Sequence, residues 1–380
     1  MNFLINQYKR TNQLPINHNY LREQFSDKEV ILKKISDLVE RGDFTLGEAV
    51  TDFENEFSAL QNVKNTIGVG SGTDAIFLTL KALGIGMGDE VITTPFTFYA
   101  TIGAIATTGA KPVFVDVSED MNIDPFLIEK AITQKTKAIV PVHWSGKPCM
   151  MDKIKGLADH YHLKIVEDAC HAINATYEGN HMGYYSTASA FSLHPLKNLN
   201  VWGDGGVICT NDDELAAKLR LIRNHGLEGR DKCIEFAYNS RLDTLQAIVA
   251  SHLLTKIDFI TNSRIKHAKT LDEHLGQISE ITIPRRDSEK VRQVFHIYSV
   301  LTKERDELQK FMINKGIDAK VHYPTPMHLQ PAAESLGYKV GDFPISEKIC
   351  SETISFPVHE FISDEDINFI IKEVKSFYGR

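Results

Sequence analysis

Between residues 65 and 225 the chain alternates short apolar runs with amphipathic ones, and this rhythm restricts the fold more than any other feature. TIGVG reads as a strand, and SGTDAIFLTLKALG as a turn and a helix stopped at Gly84. EVITT, PVFVDV, KAIVPV and LKIVED follow as strands. Between them lie the helices ATIGAIATTG, IDPFLIEKAIT, with Pro125 in its first turn, and MDKIKGLADHYH. ASAFSL and GGVICT are strand-like, and DDELAAKLRLIRNHG is a helix. Repeated strand–helix pairs require a mostly parallel sheet sandwiched by helices, whose strands are apolar throughout because both faces are buried. The fold class is therefore α/β. A helix is expected over residues 27–41, and LDTLQAIVASHLLTKIDFI reads as one long helix leading into a second unit. That unit mixes helices with short strands such as FHIYSVL, an α+β pattern. At 380 residues the chain is too long for one small core. The expected division is an N-terminal arm at 1–26, a large domain at 27–260 and a smaller C-terminal domain at 261–380.

A formal net charge of −8 weighs against a nucleic-acid partner, which requires a basic face. No apolar run nears the roughly 20 residues that span a bilayer. The opening MNFLINQYKRTNQLPINHNY has neither an apolar core nor a small-residue cleavage site. A cytoplasmic protein with no membrane partner is expected. Five scattered cysteines (Cys149, Cys170, Cys209, Cys233 and Cys350) form no CxxC pair, so neither a disulfide framework nor a metal site is expected.

Three features carry chemistry. In GVGSGTDA the glycines Gly68, Gly70 and Gly72 give GxGxG rather than GxGxxG, and no acid follows a second strand to hold a ribose. The turn of Ser71, Gly72 and Thr73 instead opens a helix whose free N–H groups suit one phosphate, or else Thr73 is a plain N-cap. In LKIVEDACHA, Glu167 and Asp168 close an apolar strand, at the end where open α/β sheets bind ligands. A buried carboxylate there needs a cationic partner or several donors; the alternative is that both acids are solvated. His171 lies three residues further on. In AFSLHPLKNLNVWGDGG, Lys197 sits in a loop just beyond Ser192. A lysine that bonds to a carbonyl must be able to lose its proton, which burial favours; most lysines are merely solvated. Together, a phosphate cradle, a strand-end acid and a loop lysine are the parts needed for pyridoxal 5′-phosphate.

On these and further motifs the chain resembles the DegT/DnrJ/StrS-type sugar aminotransferases, a branch of the fold type I pyridoxal-phosphate enzymes. GSGTDA with LKALGIGMGDEVI, TPFTFYAT, KPVFVDV, KTKAIVPVHWSG, KIVEDACHA, FSLHPLKNL with GDGG, YNSRLDTLQA and VHYPTPMHLQP come in that family's order over nearly the whole chain. The resemblance implies that Lys197 binds the cofactor covalently and serves as acid–base catalyst, and that Asp168 pairs with the pyridine nitrogen. It implies His171 near the ring hydroxyl and Phe98 stacked on the ring. Gly72, Thr73 and Ser192 would hold the phosphate, and Asn239 would reach the phosphate of a neighbouring subunit, making the active site a property of a homodimer. It further implies L-glutamate as amino donor, 2-oxoglutarate as product, pyridoxamine 5′-phosphate as the amino-carrying form, and a keto-sugar, mostly nucleotide-linked, as acceptor in surface-polysaccharide or secondary-metabolite sugar biosynthesis.

Two departures stand out: Ala237 where the family usually has Gly, and Trp202 ahead of Asp204, Gly205 and Gly206, where an indole could reshape the substrate side of the pocket. Arg223, Arg230, Lys232, Arg241 and His322 are candidate basic groups for an anionic acceptor. Alternatives remain: a small phosphorylated ketose or hydroxyketone as keto-phosphate acceptor, and a non-catalytic cofactor-binding regulator. Two rivals lose ground: a sugar dehydratase, whose family members carry His in place of the lysine, and a nicotinamide oxidoreductase.

Overall fold

The computed structural model describes residues 14–286 and 289–380, so the first thirteen residues of the expected arm lie outside it. In chain order the strands are β1 (Asn65–Val69), β2 (Glu90–Thr93), β3 (Lys111–Phe114), β4 (Thr136–Ile139), β5 (Lys164–Asp168), a short hairpin β6 (Thr176–Tyr177) and β7 (Asn180–His181), β8 (Ala188–Ser192), β9 (Gly206–Thr210), β10 (Val291–Arg292), β11 (Tyr298–Leu301) and β12 (Thr353–Phe356). Seven of them form one sheet in the order β1-β9-β8-β5-β4-β2-β3. All run parallel except β9, which is antiparallel to both neighbours. Pro112, which cannot donate to a ladder, lies in the edge strand β3.

Successive side chains of a strand point to opposite faces, and the central strands divide their residues between two cores accordingly. Phe191, Val207 and Cys209 join a core with Phe53, Phe57 and Leu253, from the helices Glu48–Gln61 and Thr244–Leu254. Ala190 and Ile208 join one with Leu78, Ile105 and Leu219, from the helices Gly72–Ala82, Tyr99–Thr107 and Asp213–Ile222. Each large apolar side chain so buried contributes about 1.5–3 kcal/mol. Helices thus cover both faces, and the mostly parallel sheet predicted from the alternation is present.

The expected long helix is in fact two, Thr244–Leu254 and Ile257–Leu275. At the break, the Thr255 hydroxyl donates to the His252 carbonyl at 2.8 Å and competes with the backbone ladder. Lys256 is drawn aside to Asp27 at 2.6 Å. The second helix starts in the first core with Ile257 and Ile260 and ends in another with Ala268, Leu271 and Leu275. That other core is built on the antiparallel pair β11–β12 and the helices Arg305–Asn314 and Asp364–Phe377. Ile16, from the start of the described chain, belongs to it.

Arg223 does not face a substrate mouth. Its guanidinium is buried beneath the sheet edge, donating to Glu54 at 2.5 Å and to the Gly68 carbonyl at 2.7 Å, while Glu54 also accepts from the Gly68 amide at 2.8 Å. Removing one partner of a buried pair leaves the other charge uncompensated, at a cost of about 3–5 kcal/mol. Arg223→Leu should therefore lower the urea midpoint with an unchanged slope. An unaltered midpoint would mean that the Glu54 charge is not buried in solution.

Candidate active site

The site is built where β1, β5 and β8 end together. Because β9 runs antiparallel between β1 and β8, Gly206 pairs with both Val69 and Ser192. The glycine turn after β1 and the lysine loop after β8 therefore emerge side by side, and β5 presents Asp168 at the same edge, paired with Ala190. The approach is close. A Cβ on Gly206 would lie 2.2 Å from the Ser71 carbonyl oxygen, and one on Gly72 would lie 2.7 Å from the Ser192 Cβ and 2.9 Å from the Cys170 sulfur. Only glycine fits at either position.

Ser71, not Thr73, caps the helix that follows: its hydroxyl accepts from the Asp74 amide at 3.0 Å. Gly72 and Thr73 fall in the first turn, where N–H groups have no intrahelical acceptor. With the Ser192 hydroxyl at the end of β8, they form a cradle for a small anion. Asp168 is buried at the strand end; its Oδ2 accepts from the Thr101 hydroxyl at 2.7 Å and its Oδ1 from the Cys170 amide at 3.2 Å. Glu167, one residue earlier, points the other way and is bonded at 2.7 Å to the buried His143 and at 3.0 Å to the Gly183 amide.

Lys197 lies in the loop between β8 and β9. Burial holds its amine below the usual lysine range, while Cys170 and Asp168 pull the other way. No hydrogen-bond or ion-pair partner of its Nζ is found among the described residues. His171 is buried, its Nδ1 without a hydrogen-bond partner among the described residues, and its ring is 4.3 Å from that of His296 and 5.4 Å from that of Trp144. Burial, and then the charges of Lys197 and His322, push His171 well below the ordinary histidine range, so its ring is neutral. Burial likewise takes His322 down to about 3. Phe98 precedes the helix Tyr99–Thr107, is 48% exposed, and is 5.7 Å from the ring of Tyr323.

Thus Gly72, Thr73, Asp168, His171, Ser192 and Lys197 converge, with Phe98 among the aromatic rings beside them. Asn239 does not join them within one chain: it lies exposed, bridged to Asn224, while the next residue, Ser240, bonds to Gly70 and Asp74. Trp202 packs edge-on against Phe25, and its backbone is held on both sides by the Gln246 amide. Its surroundings are thus the N-terminal segment and the helix Thr244–Leu254. Of the proposed basic groups, Lys232 pairs with Glu228, Arg241 donates to Asn224 at 3.0 Å, and His322 is neutral. Sequence reasoning missed Thr101, His296 and Tyr323, which reach the site through long-range packing and carry no local signature.

The group this arrangement fits is pyridoxal 5′-phosphate: an anion cradle, a strand-end carboxylate for a ring nitrogen, a buried ring donor or acceptor without a partner, and an amine with a lowered pKa. The family model for the DegT/DnrJ/EryC1/StrS aminotransferases matches residues 26–375. The chain belongs to that family. Among its relatives, a pleiotropic regulatory protein of Geobacillus stearothermophilus is 42% identical over 94% of this chain and 97% of its own length. A dTDP-3-amino-3,4,6-trideoxy-alpha-D-glucose transaminase of Streptomyces venezuelae is 40% identical over 84% of this chain and 85% of its own. A UDP-2-acetamido-2-deoxy-3-oxo-D-glucuronate aminotransferase of Pseudomonas aeruginosa is 37% identical over 88% and 92%. The crystal structure of S. venezuelae DesV in complex with ketimine intermediate superposes with a TM-score of 0.93 at 36% identity, covering 97% of this chain and all of that one. NtdA of Bacillus subtilis, with bound cofactor PMP, gives 0.89 at 28% identity, over 98% of this chain and 88% of its own. The protein is an aminotransferase of this family, and cofactor-bound relatives support the same cofactor class here.

A lowered pKa makes an amine nucleophilic at lower pH. In cofactor-free protein, the rate at which Lys197 is acylated should rise with pH and level off earlier than the rates of exposed lysines, as read by peptide mass spectrometry. Levelling at the same pH would show that burial does not perturb it.

Proposed function

We propose that this aminotransferase moves an amino group from L-glutamate to the keto carbon of a nucleotide-linked sugar, with pyridoxal 5′-phosphate covalently held by Lys197. The observation that carries the reading is the juxtaposition of a half-buried Lys197, whose amine has no polar partner among the described residues, with Asp168 and the cradle of Gly72, Thr73 and Ser192. When bound, the cofactor supplies an electron sink and a carrier for the amino group.

This chain's residues do the rest. The Gly72 and Thr73 amides and the Ser192 hydroxyl would hold the phosphate. Asp168, braced by Thr101 and the Cys170 amide, would pair with the pyridine nitrogen and keep it protonated. His171, neutral, would offer its ring nitrogen to the ring hydroxyl, and Phe98 would stack on the ring. Once a substrate amine displaces it, Lys197 is a neutral base placed to take the proton from the donor's α-carbon and return it elsewhere. The lowered pKa favours that neutral form. Hydrolysis, with water supplying the keto oxygen, would release 2-oxoglutarate, and with the keto-sugar Lys197 would move the proton in the opposite sense.

Nucleotide-linked acceptors are favoured by the dTDP- and UDP-sugar enzymes among the relatives. A homodimer is part of the same proposal: Asn239 is exposed in a loop that also carries the exposed Ile234 and Phe236, apolar side chains that a second copy would cover. The regulatory relative motivates a second reading, a cofactor-binding regulator, which predicts no spectral response to glutamate.

General acid–base catalysis contributes about 10²–10⁴-fold, so Lys197→Ala should bind the cofactor without a covalent bond and lose roughly that much turnover. Borohydride treatment of the wild-type holoenzyme should tag Lys197; tagging of another lysine would overturn its role. Protein loaded with pyridoxamine 5′-phosphate should regain the aldehyde-form absorbance on addition of a dTDP- or UDP-ketosugar. A return with small keto-phosphates alone would replace the acceptor assignment. No return with any ketone and no response to glutamate would favour the regulator.

A further inference from the structure

The lysine loop is held from outside the sheet. Leu196 adopts φ +74°, a conformation unfavourable for a branched side chain, so it persists because its surroundings impose it. The carbonyls of Leu196 and Lys197 both point at polar side chains. The Tyr20 hydroxyl donates to the Leu196 carbonyl at 3.4 Å. The Asn200 amide donates to the Lys197 carbonyl at 2.9 Å and to the Gln24 side-chain oxygen at 2.7 Å. Tyr20 and Gln24 belong to the N-terminal segment, and all three side chains are buried.

That same segment is fastened to the C-terminal unit. Ile16 exchanges backbone hydrogen bonds with Gly316 and Asp318 at 3.1 and 2.8 Å, and the Asn17 carbonyl lies 2.9 Å from His359 Nε2. The Tyr20 ring stacks on His359 at 4.4 Å, and Arg264 donates to the Tyr20 hydroxyl at 2.5 Å. The Gln24 amide donates to Glu360 at 3.0 Å, and Glu360 pairs with Arg264 at 3.3 Å. Burial raises the Tyr20 pKa, so the hydroxyl keeps the proton it donates.

We propose that Tyr20, Gln24 and Asn200 are positioning residues: the N-terminal segment is a strap that transmits the placement of the C-terminal unit to the backbone of Leu196 and Lys197, and so fixes where the lysine amine lies. The strap acts on Lys197 through its carbonyl and touches no reacting atom. The inference rests on the reading of Lys197 as the cofactor-bearing residue.

Two variants test it without emptying the core. Tyr20→Phe keeps the ring against His359 and removes the hydroxyl; Gln24→Met keeps the volume and removes the amide. Each substitution removes two hydrogen bonds, one on the loop side and one to Arg264 or Glu360; the loop-side loss corresponds to a change of about five- to tenfold. In both variants the urea midpoint should fall modestly, because Arg264 or Glu360 loses a buried partner, and hydrogen exchange of residues 193–201 should quicken by about that factor beyond the change elsewhere. In the holoenzyme, the midpoint pH of the visible absorbance band should shift by about half a unit, and kcat should fall about five- to tenfold with KM for glutamate within about twofold. Exchange that quickens equally throughout the protein, or that is unchanged at residues 193–201, overturns the proposal. So does a wild-type absorbance midpoint together with wild-type kcat. Borohydride labelling of the wild-type holoenzyme separates the two failures. If Lys197 is not labelled, the cofactor reading falls. If it is labelled and the variants behave as wild type, the strap alone falls.

Discussion

The site exists because one antiparallel strand is inserted into an otherwise parallel sheet with its first residue held to glycine. Strands pair at about 4.8 Å, so Val69, Gly206 and Ser192, paired in one row, bring the turn after β1 and the loop after β8 within a side chain's reach. Gly206 lets the Ser71 carbonyl descend onto β9, and Gly72 lets its helix sit against Ser192 and Cys170. A methyl group at either glycine would push apart the anion cradle and the lysine loop.

Strand alternation then assigns the acids. Glu167 and Asp168 are adjacent, so they face opposite sides of β5. One side is closed and holds Glu167 with His143 and the Gly183 amide; the other opens onto the cradle and holds Asp168 with Thr101 and the Cys170 amide. Two carboxylates of equal promise become a structural anchor and a candidate catalytic group. Burial acts on the rest of the pocket in a consistent direction. It disfavours charged forms, so Lys197 is lowered and His171, His296 and His322 remain neutral. The pocket thereby pairs neutral imidazoles with an amine that readily loses its proton.

Much of this was legible beforehand. The apolar runs of β1, β2, β4, β5, β8 and β9 announced a buried sheet because each face of each strand had to be covered. Lys197, Asp168 and the Ser71–Thr73 turn could be singled out because each lies at a junction where a strand gives way to a loop or helix. Arg223 was read as a candidate group for an anionic acceptor, since nothing near it in the chain discloses Glu54, 169 positions away. The break at Thr255 was missed for a similar reason: the apolar pattern runs through it, and the interruption comes from a hydroxyl bond and from Lys256 reaching Asp27.

Residue order thus dictated the elements, their apolar faces and the chemistry available at their ends, because periodicity and side-chain type are local properties. It could not say that β9 would run against its neighbours, that Thr101 would brace Asp168, or that the segment around Tyr20 would fasten onto the lysine loop. Those are contacts between residues tens to hundreds of positions apart. Their partners were chosen by close packing and by the need to satisfy buried polar groups, and that need arises only once the chain has closed around them.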